Sequence, residues 1–277
     1  MRYIAGQAKE EGCIFCNRLQ RNDDVSSLIL HRGRHCFVIM NLFPYNTGHV
    51  MILPNLHADD LDQLSAETLH EMADLLPIIS RSLKRVLNCQ GFNIGLNVGS
   101  VAGAGIAEHL HQHVVPRWLG DANFMPIIAS TTVMPELIPS TYAKVRAELH
   151  REVTHDSSVR LVVLTRDDTR FALIGGTLPT VVADSDQSIW KAAFEHLYPW
   201  APEIEVAGWS GPTLATASSS AGDGTGLVLR AQINHPDLLP SGTTIVEYND
   251  DVLDGLSSSD RSALRRGFDH LSPRMRP

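Results

Sequence analysis

His109-Leu110-His111-Gln112-His113-Val114-Val115 decides the reading of this chain. Histidine recurs there with period two, the period of an extended strand, on which residues two apart point to the same face. The run predicts a strand over 109–116 with three imidazoles along one side. The first and third Cα atoms would stand about 13 Å apart, at about 3.4 Å per residue. One metal ion could therefore take two neighbours readily and all three only with difficulty. Upstream stands GFNIGLNVGSVAGAG (91–105), where Gly99, Gly103 and Gly105 would let backbone N–H groups approach a phosphate. A dinucleotide-binding reading of these glycines fails, because a histidine-bearing strand follows them and not a helix.

Outward from the histidines, CFVIMN (36–41) and HVMILP (49–54) read as strands, joined by the turn-rich LFPYNTG as a hairpin. Ser65 is a good N-cap. Leu69, Met72, Leu75, Leu76, Ile79 and Leu83 then keep helical spacing from Thr68 to Leu87, with Pro77 predicting a kink or break. A strand over 91–98 and a helix over 133–149 complete the first domain. The polar THDSS (154–158) marks a boundary near 150–158. Beyond it come strands at 159–165 and 170–175, a helix at about 186–198, and strands near 203–209, 226–233 and 243–248. SSSAGDGTG (218–226) is a flexible loop by composition. The fold class is α+β, with domains at 1–152 and 157–277, the second a smaller α/β unit.

The 277 residues, 43% hydrophobic and 19% charged, suit two globular domains. A net charge of −8 argues against nucleic acid as a partner. No run of about 18 apolar residues predicts a membrane span, and MRYIAGQAKEEG lacks the apolar core of a signal peptide. The expected location is cytoplasmic, where disulfides are rare. Of the four cysteines, Cys13-x-x-Cys16 then reads as a metal or redox pair. No thioredoxin-like strand precedes it, which favours metal. Cys36 and Cys89 read as buried apolar residues. Surface or core-satisfied roles are the default for His31, His35, His49, His70 and His150.

The run from His109 to Val115 resembles the motif of the histidine-triad superfamily, with Gln112 filling one apolar slot. The resemblance extends over nearly all of residues 2–150. It includes CIFC (13–16), FPYNTGHVMILPNLH (43–57) and NVG-x-x-AG (97–103). The tail PRWLGDANF (116–124) is similar to that of bacterial diadenosine tetraphosphate phosphorylases. The resemblance implies an antiparallel sheet with helices and a nucleotidyl transferase or hydrolase. His111 would attack the α-phosphorus and form a nucleotidyl–histidine intermediate. It implies His113 and Asn97 as phosphate donors, with backbone N–H groups near Gly105 and Ile106. Asn41 would bind the ribose, and Phe15 and Leu42 are candidates for the base pocket. Cys13, Cys16, His57 and His109 would hold a structural zinc ion, closed by four protein ligands. The implied partners are an adenine-containing nucleotide, inorganic phosphate as acceptor, and a second copy in a homodimer.

Ile106 stands where many relatives carry a hydroxyl residue, which puts leaving-group handling in question. Alternative substrates are a nucleoside phosphoramidate, adenylyl sulfate or a nucleotide of a specialised pathway. A non-catalytic nucleotide sensor or scaffold is the remaining alternative. The element order of 157–277, with Leu178-Pro179 and Ala192-Ala193, resembles a Nudix domain. Its acidic helix is replaced by LYPWAP (197–202), which offers no carboxylate for Mg²⁺. Hydrolysis there would be lost, leaving a lid, a dimerisation surface or an appendage. Glu195 and His196 are expected on a solvated helix face.

Overall fold

The structure, a computed structural model, describes residues 11–21, 23–99, 101–121, 136, 138–165, 169–198, 213–215, 227–233 and 236–269. The chain divides into two compact units, Met1–Ile138 and Pro139–Pro277. They are of nearly equal length.

The first unit begins with two short helices, α1 (Ile14–Gln20) and α2 (Asp24–Ser27). Strands β1 (Ile29–Arg32), β2 (Cys36–Met40) and β3 (Val50–Pro54) follow, then helix α3 (Ala66–Leu87). Strands β4 (Gly91–Leu96) and β5 (Gln112–Arg117) complete it. All pairings are antiparallel, in the order β1-β2-β3-β5-β4. β2 and β3 are buried along their whole length, as their continuous apolar runs require.

The expected strand over 109–116 starts three residues late. Leu110 gives its N–H to Ala58 O at 2.6 Å, so residues 109–111 leave the ladder to meet the loop after β3. Only His113 of the three histidines lies on β5. His109 and His111 sit on this diverging segment, and the three rings do not line one strand face.

Ser65 caps α3, accepting from Thr68 N–H at 3.3 Å. The buried stripe is Met72, Leu75, Ile79 and Leu83, while Leu69 is exposed. Pro77 does not break this helix. It lies on the exposed face, as does Ala73, so the carbonyl that loses its partner to proline can meet water. The packed face is untouched. Glu71 on the same helix accepts from the backbone N–H groups of Arg34 (2.8 Å) and His35, pinning the β1–β2 turn.

The helix expected at 133–149 is α4 (Ile138–Thr154). Its Ala143 and Ala147 pack in a core with Val159, Leu161 and Ala193, which groups it with the second unit. That unit continues with β6 (Ser158–Leu164), β7 (Arg170–Ile174), β8 (Thr180–Val182) and α5 (Ile189–Leu197). It ends with β9 (Thr213–Ala215), β10 (Leu227–Gln232), β11 (Thr243–Glu247), α6 (Asp250–Asp254) and α7 (Ser258–Asp269). The sheet runs β11-β7-β6-β10-β9, with β8 also on β6 and only β6–β10 parallel. Glu195 and His196 are exposed on α5. The strand expected near 203–209, the loop 218–226 and most of LYPWAP lie outside the described residues. Among the described residues no helix is long and apolar enough to cross a membrane.

Replacing Pro77 with alanine restores a donor and removes a ring from the interior of an exposed helix face. Pro77→Ala is expected to raise unfolding free energy by about 1–3 kcal/mol, measured by urea denaturation. A loss of stability would show that the proline is required by the packing of α3.

Candidate active site and metal cluster

The departure of residues 109–111 from the sheet gives each histidine a different environment. His109 is fully buried, and its Nε2 lies 3.0 Å from Pro54 O. A carbonyl only accepts, so Nε2 carries the proton and Nδ1 presents a lone pair. That Nδ1 lies 3.4 Å from Cys13 Sγ and 3.6 Å from Cys16 Sγ, while His57 Nδ1 lies 3.3 Å from Cys16 Sγ. The four ligand atoms all fall within 4.8 Å of one another. Two thiols and two imidazoles are the donor set of a closed tetrahedral zinc site, and the Pro54 carbonyl supplies the outer partner that fixes a ligand tautomer. Burial and the neighbouring Cys13 thiol push the Cys16 thiol up to about 11. Without a cation the Cys16 thiol stays protonated, whereas binding one would release its proton.

His111 Nδ1 lies 2.8 Å from His109 O, so the proton sits on Nδ1 and Nε2 carries the lone pair. The ring is buried and lines a pocket with Ile14, Phe15, Asn41, Tyr45, Gly105 and His113. Burial lowers its pKa, opposed by the bond to the His109 carbonyl. The ring is therefore neutral near pH 7 with a free nitrogen, the form in which imidazole is nucleophilic.

His113 follows on β5, its ring 4.8 Å from that of His111. Its Nδ1 lies 2.9 Å from His49 Nε2. His49 Nδ1 accepts from Tyr45 N–H at 3.1 Å and lies 3.2 Å from Asn41 Nδ2. The Asn41 amide is oriented by Phe43 N–H, which donates to Oδ1 at 2.9 Å. Because a backbone N–H holds Nδ1 of His49, its proton is on Nε2 and is given to His113. The His113 proton is then on Nε2, which is buried and has no hydrogen-bond partner among the described residues. A buried donor without a partner is costly unless a ligand completes it.

The pocket therefore sets a lone pair on His111 beside an unmatched N–H on His113. Asn41, Gly105, Ile106, Phe15 and Leu42 line it. Gly99 and Gly103 adopt positive φ in the loop leading there. Asn97 follows β4, one step beyond the Leu96–Gln112 pair, and is not among the lining residues. His49, expected in a surface or core-satisfied role, is buried and orients His113. Only the cross-strand register, Met51 opposite His113, brings it there, and one strand's spacing carries no sign of that. Past β5, Asp121 accepts from Arg117 (2.7 and 2.6 Å), Trp118 N–H (3.0 Å) and Asn46 Nδ2 (2.9 Å). Arg117 holds this carboxyl down to about 2. The cluster ties the turn after β5 to the loop that carries Asn41 and Tyr45.

A family model described as "HIT domain" matches residues 22–118. The AP-4-A phosphorylase of Mycobacterium tuberculosis is 40% identical over 129 residues, 47% of this chain and 66% of that protein. An uncharacterized 16.1 kDa HIT-like protein of Mycoplasma pneumoniae is 31% identical over 106 residues, 38% of this chain and 72% of that protein. A zinc-bound histidine triad family protein of Mycobacterium smegmatis aligns in structure with a TM-score of 0.41 at 25% identity, covering 52% of this chain and 97% of the other. The chain belongs to the histidine-triad (HIT) family. Within it, the chain spans just under two thirds of the length of the phosphorylase. The match to the family model lies in the first unit, and the Nudix reading of the second unit finds no support.

Burial, and then the facing imidazoles, lowers His49 from 6.5 to about 3 and His113 from 6.5 to about 4. Both folded values lie below the unfolded one. The stability they contribute is complete above pH 6.5 and is lost as pH falls toward 4 and 3. Unfolding free energy is expected to decline on acidification from pH 7 to 4, with a shallower slope in His49→Gln. Equal slopes in the two proteins would contradict a neutral buried His49.

Proposed function

We propose that this chain is a nucleotidyl transferase or hydrolase acting at the α-phosphate of a nucleotide, most specifically a dinucleoside polyphosphate phosphorylase. One observation carries the reading. The His109 carbonyl fixes the His111 proton on Nδ1, leaving Nε2 to face a pocket beside the unpartnered Nε2–H of His113.

In the first step His111 Nε2 attacks the α-phosphorus, forming a P–N bond as the bond to the bridging oxygen breaks. The leaving nucleotide departs with the electron pair. The Nδ1 proton stays on the histidine, and the His109 carbonyl stabilises the positive charge that the ring acquires. His113 Nε2–H, with backbone N–H groups near Gly105 and Ile106, would donate to the non-bridging oxygens as charge builds there. In the second step an oxygen of inorganic phosphate attacks, the P–N bond breaks, and neutral His111 returns. With diadenosine tetraphosphate the products are ATP and then ADP. Ile14, Phe15 and Leu42 form an apolar wall suited to an adenine ring, and Asn41 on the same pocket is assigned to the ribose; the family resemblance alone assigns Asn97 to phosphate. Similarity to the phosphorylase supports phosphate as acceptor. Cys13, Cys16, His57 and His109 would hold a structural zinc ion, which supplies no chemistry at phosphorus because four protein ligands close its shell. A homodimer fits edge strand β4, which exposes Asn93, Ile94 and Gly95.

Incubation with diadenosine tetraphosphate and phosphate is expected to give ADP plus ATP, and His111→Ala is expected to lose at least about 10³-fold in rate. AMP plus ATP, with or without phosphate, would assign water as acceptor and make the protein a hydrolase. A folded His111→Ala protein with unchanged turnover, or no turnover of any dinucleotide by the parent, would overturn the reading.

A further inference from the structure

Helix α1 has two faces with different partners. Cys13 and Cys16 at its start point to His57 and His109. Ile14, Phe15 and Arg18, interleaved with them, line the pocket that contains His111. The Phe15 ring touches both sides, 5.6 Å from the His109 ring and 5.5 Å from the His111 ring.

This helix has seven residues, too few to be stable alone. Its C-terminal end is held by the Arg32 guanidinium, which donates to Leu19 O at 2.7 Å and Arg21 O at 2.9 Å while pairing with Asp24 at 2.7 Å. At its N-terminal end Asn17 Nδ2 donates to Glu11 O at 3.0 Å. Cys13 occupies the N-cap position and makes no side-chain capping bond. Cys13, Ile14 and Phe15 pack against Ile29, Phe37 and Leu53, and the contacts that reach from this end to His57 and His109 are thiol–imidazole contacts of 3.3–3.6 Å, in which the thiols are weak hydrogen-bond partners. Replacing them by four metal–ligand bonds would join α1 to the loop after β3 and to the segment just before His111.

We propose that the cysteine–histidine cluster is a positioning device for substrate: with metal bound, α1 is clamped as the wall of the nucleotide pocket, and nucleotide affinity rises. Cys13 and Cys16 are then positioning residues acting through Ile14 and Phe15. The proposal rests on the reading that the pocket takes a nucleotide. It concerns binding more than chemistry, because the His109 carbonyl and the Pro54 carbonyl bond remain without the ion. Linkage makes the effect reciprocal, so bound nucleotide tightens metal binding by the same factor.

The test uses the full chain loaded with zinc, the same protein after chelation, and the chelated protein reloaded with zinc. AMP affinity is measured by calorimetry, and amide hydrogen exchange is followed over residues 14–20 and 66–87. Chelation is expected to weaken AMP binding about tenfold or more, speed exchange in 14–20, and leave 66–87 protected. Reloading should restore the AMP affinity and the protection of 14–20. In turnover, KM for the dinucleotide should rise while kcat changes less. An unchanged AMP affinity after chelation overturns the clamp, as does an equal rise of exchange in 66–87, which would make the metal a brace for the whole domain. If zinc-loaded protein binds no AMP, the nucleotide reading falls, and the clamp with it. AMP bound equally well with and without zinc removes the clamp alone.

Discussion

A single backbone carbonyl, His109 O, governs the site. By accepting the Nδ1 proton of His111 at 2.8 Å it decides which nitrogen of that ring carries a lone pair and where the lone pair points. The carbonyl can do this because residues 109–111 have left the β-sheet. In a regular ladder it would face the neighbouring strand and bond there. The exit is secured by Leu110 N–H on Ala58 O and by the His109 ring on Pro54 O. Loss of three residues of strand thus sets one imidazole in the cysteine–histidine cluster and the next, with its lone pair free, in the pocket.

His113 is oriented by a different route that converges on the same pocket. The chain of donors runs from Tyr45 N–H to His49, and from His49 to His113. Each ring is held in one tautomer by the partner before it, so a backbone amide four residues upstream of His49 fixes a proton facing the pocket. The order is enforced by burial. Charging either ring would place a cation in a desolvated site beside another imidazole, which is why both titrate far below the usual histidine range.

Much of the frame is legible in local pattern. The apolar runs 36–41 and 49–54, the Ser65 cap and the spacing of Met72, Leu75, Ile79 and Leu83 each report a face that must be buried, and the structure buries them. What escaped local pattern was set by distant contacts. The start of β5 depends on Ala58, which bonds Leu110 from far along the chain, and strand periodicity cannot register it. Pro77 forbids a helix only where its face is packed, and it lies on the exposed face. His49 became a site residue through cross-strand register alone. The second unit has no comparable signal. Its α4 and the strands β6 and β7 obey ordinary burial rules, and among its described residues no group of metal-ligating side chains sets them apart from a plain scaffold.

Under the proposed activity, the charge of the pocket would let a protein of net charge −8 take a polyphosphate. Of the described residues that line the pocket, Arg18 alone carries a fixed positive charge, and its Nη1 is bonded to Ser27 O at 3.3 Å. The groups nearest the reacting position are neutral: a lone pair, an imidazole N–H, and the glycine-rich backbone at Gly105. A cluster of cations would bind the ground-state polyanion strongly and gain little as the reaction proceeds. Oriented neutral dipoles in a buried pocket act most on the oxygens where charge increases at the transition state. The cost is that such donors must be held without a partner before substrate arrives. The buried, unmatched Nε2 of His113 is where the fold bears it, and the Tyr45–His49 chain is what keeps it pointed.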